Sequence, residues 1–312
     1  MIGKRELSSR NRGSGGAVSV GGIDITHPNK IWWPEEKITK LDIARYYEAI
    51  AERILPWLKN HPLTAERCPD GIVGECFFQK NFLNDLPPDV PTRAIPTERN
   101  DDIVHYVIGG STKSLLALVN LDCIAVHVMN CKIDTLDYPT WLAFDLDPSS
   151  GKFSDAAKAG TVLHEILDEL RIRSYPKTSG GKGLHVLIPL KHGPNQDKVR
   201  EFAHQIGQEM VNRSPELITV QMSKSKRKGR VFADWLRNAF GQTIAAPYSV
   251  RRRLKAPVST PLHWEEVDRK LEPSSFNVLT IEHRLRRKDP WADFWRYPQV
   301  LPSFKLLHYT KT

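Results

Sequence analysis

Thr140-Trp141-Leu142-Ala143-Phe144-Asp145-Leu146-Asp147-Pro148 ends an apolar run with two aspartates one residue apart. On a strand, successive side chains alternate faces. Asp145 and Asp147 then point one way, and Leu142, Phe144 and Leu146 the other. The apolar face suits a core. The acidic face carries two carboxylates that repel each other and lose solvation on burial. A divalent cation relieves both costs, and Mg2+ or Mn2+ prefers oxygen ligands of this kind. The stretch points to metal-dependent phosphate chemistry, although the same string also suits a surface turn at a strand end.

Downstream of this strand, Val162, Leu163, Ile166, Leu167 and Leu170 recur at helical spacing, with Ser154 as the expected cap. A glycine loop and the strand Leu184-His185-Val186-Leu187-Ile188 follow. A helix over about 196–212 faces inward through Val199, Phe202, Ala203, Ile206 and Met210. Next come Leu217–Met222, a basic loop, and the strand Val231-Phe232-Ala233-Asp234. This β-α-β-α-β order predicts an α+β, mixed α/β catalytic core with helices packed on a sheet.

Upstream, Thr39-Lys40-Leu41-Asp42 has the form of a capping box, with Asp in place of Glu. A helix over Leu41–Leu58 follows, and Pro56 kinks or stops it. Residues 63–82 predict short strands around a Pro69-Asp70-Gly71 turn. Residues 85–100 are proline-rich and polar, a loop or lid. Order is expected to begin near Ile23, after a disordered basic tail (1–22) carrying Lys4, Arg5, Arg10 and Arg12. The expected organisation is a single catalytic domain over 23–300. It has an N-terminal part (23–139), a motif-bearing part (140–256), a proline-punctuated helical cap (257–300) and a tail from 301. No internal repeat is visible.

The chain has 312 residues, 40% hydrophobic and 26% charged, the composition of a soluble globular protein. No apolar stretch approaches the roughly 18–20 residues that span a membrane. The polar, Gly/Ser-rich N-terminus lacks the apolar region of a secretory signal, so a cytoplasmic location is expected. Formal net charge is +9 and the pI about 9.3, which favours a polyanionic partner. Cys68, Cys76, Cys123 and Cys131 form no Cys-x-x-Cys pair and are expected as reduced packing residues. Cys123, His127 and Cys131 share strand parity but spread over about 25 Å, too far for one ion.

Three further features carry chemistry. Thr178-Ser179-Gly180-Gly181-Lys182-Gly183-Leu184-His185 offers a tight backbone turn, a hydroxyl and a positive charge to an anion. It is not a Walker loop, because Gly-x-x-x-x-Gly-Lys-Ser/Thr is absent and a strand follows. His185, at the start of that strand, is placed to hold a triphosphate oxygen or to fill the core. Asp234 is an acid among apolar strand residues and needs a partner. Beside Asp145 and Asp147 it completes a three-carboxylate site for two divalent ions, as in-line nucleotidyl transfer requires; alone, it pairs with Arg230 or Arg237. Two basic runs flank it, Lys224-Ser225-Lys226-Arg227-Lys228-Gly229-Arg230 and Arg251-Arg252-Arg253. They read as a phosphate funnel or as a solvated face.

Asp145-Leu146-Asp147, Ser179-Gly180-Gly181-Lys182-Gly183-Leu184-His185, Asp234-Trp235 and Ala246-Pro247-Tyr248-Ser249-Val250-Arg251 together resemble the polymerase domain of bacterial and archaeal ligase D. That family belongs to the archaeo-eukaryotic primase superfamily and serves non-homologous end joining. The resemblance runs from about Ile23 to about Pro298 and implies a primase-like core with an RRM-like β-α-β unit. It implies a DNA-directed nucleotidyltransferase that extends primer 3′-ends and fills short gaps at breaks. The implied substrates are nucleoside triphosphates, ribonucleotides before deoxyribonucleotides, used with two Mn2+ (or Mg2+) ions.

By resemblance, Asp145, Asp147 and Asp234 are metal ligands, and His127, Ser179, Lys182, His185 and Arg251 meet the nucleotide. Lys30 and Lys40 match positions that bind the 5′-phosphate of the downstream strand. Phe77-Phe78 matches an aromatic pair that stacks on template bases, with Lys80 as basic neighbour. From the basic run itself, Lys224, Lys226 and Arg227 are expected as further DNA contacts. The implied partners are DNA ends or a gapped duplex with a downstream 5′-phosphate, a Ku-like end-binding protein and a separate ligase, in the prokaryotic nucleoid and with no membrane. Two departures stand out. The Lys-x-Asp-Gly nucleophile of a covalent ligase is absent, Cys68-Pro69-Asp70-Gly71 being the nearest string, so the polymerase module alone is resembled. The segment 85–102, where the family carries a basic synapsis loop, holds Arg93 and Arg99 among Asp85, Asp89, Glu98, Asp101 and Asp102. The rival readings are a non-catalytic module that binds DNA ends by the 5′-phosphate, and a sugar-nucleotide transferase using Asp-x-Asp. The basic runs and the aromatic pair argue against the second.

Overall fold

The computed structural model describes residues 16–97 and 102–302. The expected basic residues Lys4, Arg5, Arg10 and Arg12 lie outside the described residues, as do Glu98, Arg99 and Asp101. Order begins earlier than Ile23: β1 (Val18–Val20) pairs antiparallel with β2 (Ile23–Ile25). A second short hairpin, β3 (Ile31–Trp33) with β4 (Ile38–Thr39), leads into the first helix.

The capping box forms as the sequence implies. Thr39 Oγ1 accepts from the Asp42 N–H at 3.2 Å, and the Asp42 carboxylate accepts from the Thr39 N–H at 2.9 Å. The expected single helix is two: α1 (Lys40–Ala49) and α2 (Ala51–Leu58), separated at Ile50. Pro56 sits inside α2, where it removes the backbone donor to the preceding turn, and the helix ends two residues later, with Lys59 leaving helical geometry.

One sheet is built from β5 (Pro62–Arg67), β6 (Phe77–Gln79), β7 (Thr92–Pro96), β8 (Ile103–Ile108), β9 (Cys123–Met129) and a later strand. Between β8 and β9 lies α3 (Thr112–Asn120). The β7 strand corrects the expected loop over 85–100. Thr92–Pro96 pairs along β8, and proline is tolerated there because β7 is an edge strand. A second correction concerns the cysteines. Cys68 and Cys76 form a disulfide, because the β5–β6 hairpin sets them side by side just beyond its last pair, Arg67 opposite Phe77. Cys123 and Cys131 are free and buried, as expected.

The second sheet contains the opening motif. β10 (Trp141–Pro148) is followed by α4 (Phe153–Glu169), β11 (Tyr175–Thr178), β12 (Leu184–Pro189), α5 (Gln196–Arg213), β13 (Ile218–Thr219), α6 (Lys224–Arg227) and β14 (Val231–Asp234). The strand order is β11-β12-β10-β14-β13. Ser154 does not cap α4; Lys152 occupies the cap position without a side-chain bond, and Ser150 hydrogen-bonds Asp155 in the first turn at 2.6 Å. β15 (Thr243–Ala245) then returns to the first sheet beside β9. The C-terminal cap is less helical than expected: short 3-10 turns and one four-residue helix, α7 (Glu282–Leu285).

Alternation along β10 divides two cores. Leu142, Phe144 and Leu146 pack with Leu163, Ile166 and Leu167 of α4 and Phe202, Ile206 and Met210 of α5. Trp141 and Ala143, on the opposite face, join the core of the first sheet. Each such large apolar side chain contributes roughly 1.5–3 kcal/mol on burial. The face that carries Asp145 and Asp147 is thereby held in the cleft between the sheets.

Candidate active site

Cross-strand register assembles a row of four polar residues. Lys177 on β11 lies opposite His185 on β12, His185 opposite Asp145 on β10, and Asp145 opposite Asp234 on β14. Lys177 Nζ is 2.7 Å from His185 Nδ1, and His185 Nε2 is 3.4 Å from Asp145 Oδ1. Arg237, on the turn after β14, places Nε 3.2 Å from a carboxylate oxygen of both Asp145 and Asp234. Asp147 is half exposed and meets Arg227 Nη1 at 3.3 Å.

Environment separates these groups. Burial disfavours charge on Asp145, but the His185 imidazole and the Arg237 and Arg251 guanidiniums outweigh it and hold the carboxyl below its ordinary range. Burial raises Asp234, against the pull of Arg237. Burial, with the nearby Lys177, lowers His185 to about 4, so the ring is neutral at neutral pH. Burial also pulls Lys177 well below its ordinary value. Lys177 is fully enclosed and reaches Ala245 O at 2.9 Å and Ser259 Oγ at 2.5 Å, tying β11 to β15 and to the 246–260 strap.

His185 and Asp145 of this row open on a cavity of about 1030 Å3. Its walls include Asp145, Asp147, His185, the Ser179–Gly183 loop, Arg237 and Arg251–Arg253, with Thr64, Glu66, Phe78, Lys80 and His127 from the first sheet. Ser179 Oγ accepts from the N–H groups of Gly181 and Gly183 at 3.2 and 3.1 Å, which closes the loop on itself. Gly180 has φ +72°, and a Cβ there would fall 2.3 Å from Arg251 Cγ; one on Gly183 would fall 2.8 Å from Leu146 O. Glycine is needed at both positions for the loop to lie against the aspartate strand and Arg251. His127 faces the cavity with Nε2 unpartnered, and burial keeps its imidazole neutral. The Phe78 ring meets that imidazole edge-on at 5.2 Å.

Other expected residues lie elsewhere. Lys40 is buried, with Nζ 2.6 Å from Asn120 O and 3.1 Å from Asp122; Lys30 is partly exposed, 3.7 Å from the same carboxylate. Neither lines the cavity. Phe77 is exposed on β6 beneath the Arg67 guanidinium. Lys80 lines the cavity and donates to Gly241 O at 3.0 Å. Lys224 and Lys226 are exposed on α6, outside the cavity lining. Arg227 departs from the expected surface contact: it is buried over the Phe232 ring and turned onto Asp147. Lys177, Thr64, Glu66, Val73 and Leu254 are cavity or row residues that the motifs did not single out.

The donor set suits a hard divalent ion, with three carboxylates on two adjacent strands, Asp145 held ionised and Asp147 open to the cavity. Among the described residues no group of three or more His, Cys, Asp or Glu converges as a ready cluster. Arg237 and Arg227 instead sit on the carboxylate oxygens.

Residues 39–291 match the family model of the LigD primase-polymerase domain. The chain belongs to this family. A multifunctional non-homologous end joining protein LigD of Pseudomonas aeruginosa is 32% identical over 298 residues, 94% of this chain and 35% of the relative. A bifunctional LigD of Bacillus subtilis is 34% identical over 292 residues, 93% of this chain and 47% of the relative. The chain thus spans about a third to a half of these curated LigD proteins. The polymerase domain of Mycobacterium tuberculosis ligase D, solved in complex with DNA, superposes with a TM-score of 0.81 at 27% identity, over 90% of this chain and all of that one. The mixed α/β architecture is that of a LigD polymerase domain, primase-like as the motifs imply. No helix among the described residues is long and apolar enough to cross a membrane.

Proposed function

We propose that this LigD-family domain is a DNA-directed nucleotidyltransferase that extends primer 3′-ends and fills short gaps at broken DNA. The observation that carries the proposal is His185 and Asp145 side by side in a large cavity walled by cations, with Asp147 lining the same cavity and Asp234 locked by register opposite Asp145. In the reaction, the primer 3′-oxygen bonds to the α-phosphorus, the bond to the bridging oxygen breaks, and pyrophosphate leaves.

Asp145, Asp147 and Asp234 would hold Mn2+ or Mg2+, and ions bound there supply neutralisation of the triphosphate and a more acidic 3′-hydroxyl. The protein's own groups do the rest. Lys182, Arg251 and the backbone of the glycine loop hold the triphosphate, and neutral His185 donates to it or orients Asp145. Arg237 and Arg227 balance the carboxylates before substrate arrives. Phe78, exposed at the cavity, stacks on a template base, worth roughly 1–3 kcal/mol per base. Lys30 is the group available to a downstream 5′-phosphate, and buried Lys40 positions it through Asp122. Ribonucleotide preference, a Ku-like end-binding partner and a separate DNA ligase belong to the same proposal.

The test is extension of a labelled primer on a gapped duplex, with and without a downstream 5′-phosphate, with Mn2+ or Mg2+ and either sugar. Metal-dependent extension favouring ribonucleotides and the phosphorylated gap supports the reading. Tight, phosphate-dependent binding without any extension would establish an end-binding module instead.

A further inference from the structure

Val73 and Leu254 stand in solvent at the cavity mouth, 76% and 59% exposed. An exposed apolar side chain on a mobile loop needs no explanation, but neither loop is free. Two consecutive buried tryptophans of β3 each anchor one of them. Trp32 O accepts from the Ile72 N–H at 3.0 Å, and Gly71 (φ +73°) packs so closely that a Cβ would lie 2.8 Å from that oxygen. The Cys68–Cys76 disulfide closes the same loop. Trp33 Nε1 donates to Arg253 O at 2.7 Å, and the Lys255 N–H donates to Glu36 at 2.6 Å. Lys255 and Ala256 adopt left-handed backbone, φ 68° and 46°. Arg252 Nη2 donates to Gly74 O at 3.3 Å and joins the two loops.

Two pinned loops, one of them with Lys255 and Ala256 in left-handed backbone, thus hold two apolar side chains in solvent at the mouth of one cavity. Around them Lys80, Lys182, Arg252 and Arg253 line the same cavity. The matching ligand has phosphates for the cations and a flat apolar face for the side chains, which is a nucleobase on its phosphate backbone. We propose that Val73 and Leu254 form an apolar lip that takes the face of a nucleobase at the cavity mouth. This rests on the proposed nucleotidyltransferase reading and adds a base contact to it. The base belongs to the gapped DNA or to the incoming nucleotide; both offer the same chemistry.

Val73→Ser, Leu254→Ser and the double variant test this, with thermal stability as a control that exposed positions leave unchanged. Two constants are read: the Kd for a gapped duplex by anisotropy, and the Kd for ATP. The double variant is expected to weaken one of them about five- to thirtyfold, the equivalent of roughly 1–2 kcal/mol of lost apolar contact. The salt slope stays unchanged because no charge is removed. For a DNA base, the difference between wild type and variant vanishes when an abasic residue replaces that base; for the nucleotide's base, it vanishes with ribose triphosphate in place of ATP. Unchanged constants overturn the proposal, as does a penalty that survives at every abasic position and with ribose triphosphate, or a wild type that binds neither probe. Intact binding with the lip effect present but no primer extension would sink the polymerase reading and leave the lip standing.

Discussion

Asp145 and Asp234 face each other across β10 and β14, and a single nitrogen, Arg237 Nε, stands 3.2 Å from a carboxylate oxygen of each. The guanidinium does electrostatically what a bound cation would do, and it must yield if one binds. Arg237→Gln is expected to lower the melting temperature of the metal-free protein, because two opposed carboxylates lose their shared partner. Added Mn2+ should raise the melting temperature more in the variant than in wild type. Thermal melts with and without metal decide it, and equal or smaller metal stabilisation in the variant contradicts it.

Lys177 is enclosed among His185, Ala245 and Ser259. Lys177→Met keeps the stem's volume but leaves His185 Nδ1 and Ala245 O without their donor, which is expected to cost roughly 1–3 kcal/mol of stability. In the folded variant primer extension is expected to fall about ten- to hundredfold because His185 loses the group that orients it. Unchanged extension would show that Lys177 is a packing residue only.

The disulfide spans eight residues of sequence at the base of the β5–β6 hairpin. Cys76→Ser should cost roughly 2–3 kcal/mol by the chain-entropy account, measured by denaturant unfolding without reductant. Excess dithiothreitol should bring wild type down to the variant. A difference that persists under reductant would place the effect in packing.

His61 is buried, bonded through Nδ1 to Met129 O at 2.9 Å and packed at a tilt against the Trp141 ring, centroids 4.6 Å apart. Burial lowers it to about 3. The unfolded chain takes up this proton below about pH 6.5, and the folded protein does not, so its contribution is fully present above that pH and lost as pH falls. Stability should decline by up to about 1.4 kcal/mol per pH unit from this group between about pH 6 and 4. His61→Asn retains a donor near Nδ1 and should flatten the slope by that amount. Parallel unfolding profiles for the two proteins would contradict it.

The second sheet was legible because its information is local. The alternation Leu142-Phe144-Leu146 against Asp145-Asp147 assigns both faces of β10, and the spacing of Val199, Phe202, Ala203, Ile206 and Met210 gives the buried face of α5. Asp234 was legible as an acid needing a partner; that it sits opposite Asp145 is a register fact outside local pattern. Lys177 was invisible, since Tyr175-Pro176-Lys177-Thr178 reads as an ordinary strand, and its partners come from positions 245 and 259. The burial of Lys40 depends on Asp122, eighty-two positions away, and the turn of Arg227 onto Asp147 on a four-residue helix too short to announce itself. Cys68 and Cys76 were separable from the other cysteines only through the hairpin that pairs them. β7 was hidden because Pro96 within it and the prolines before it read as loop, a rule that edge strands escape.

Whether Asp145 serves nucleotidyl transfer is decided by single-turnover extension of a primer on a gapped duplex by wild type and Asp145→Asn, each first shown to be folded and to bind the duplex. The expected result is a loss of about a hundredfold or more in the rate of nucleotide addition, with duplex affinity retained. Extension by the folded variant at the wild-type rate would contradict the account.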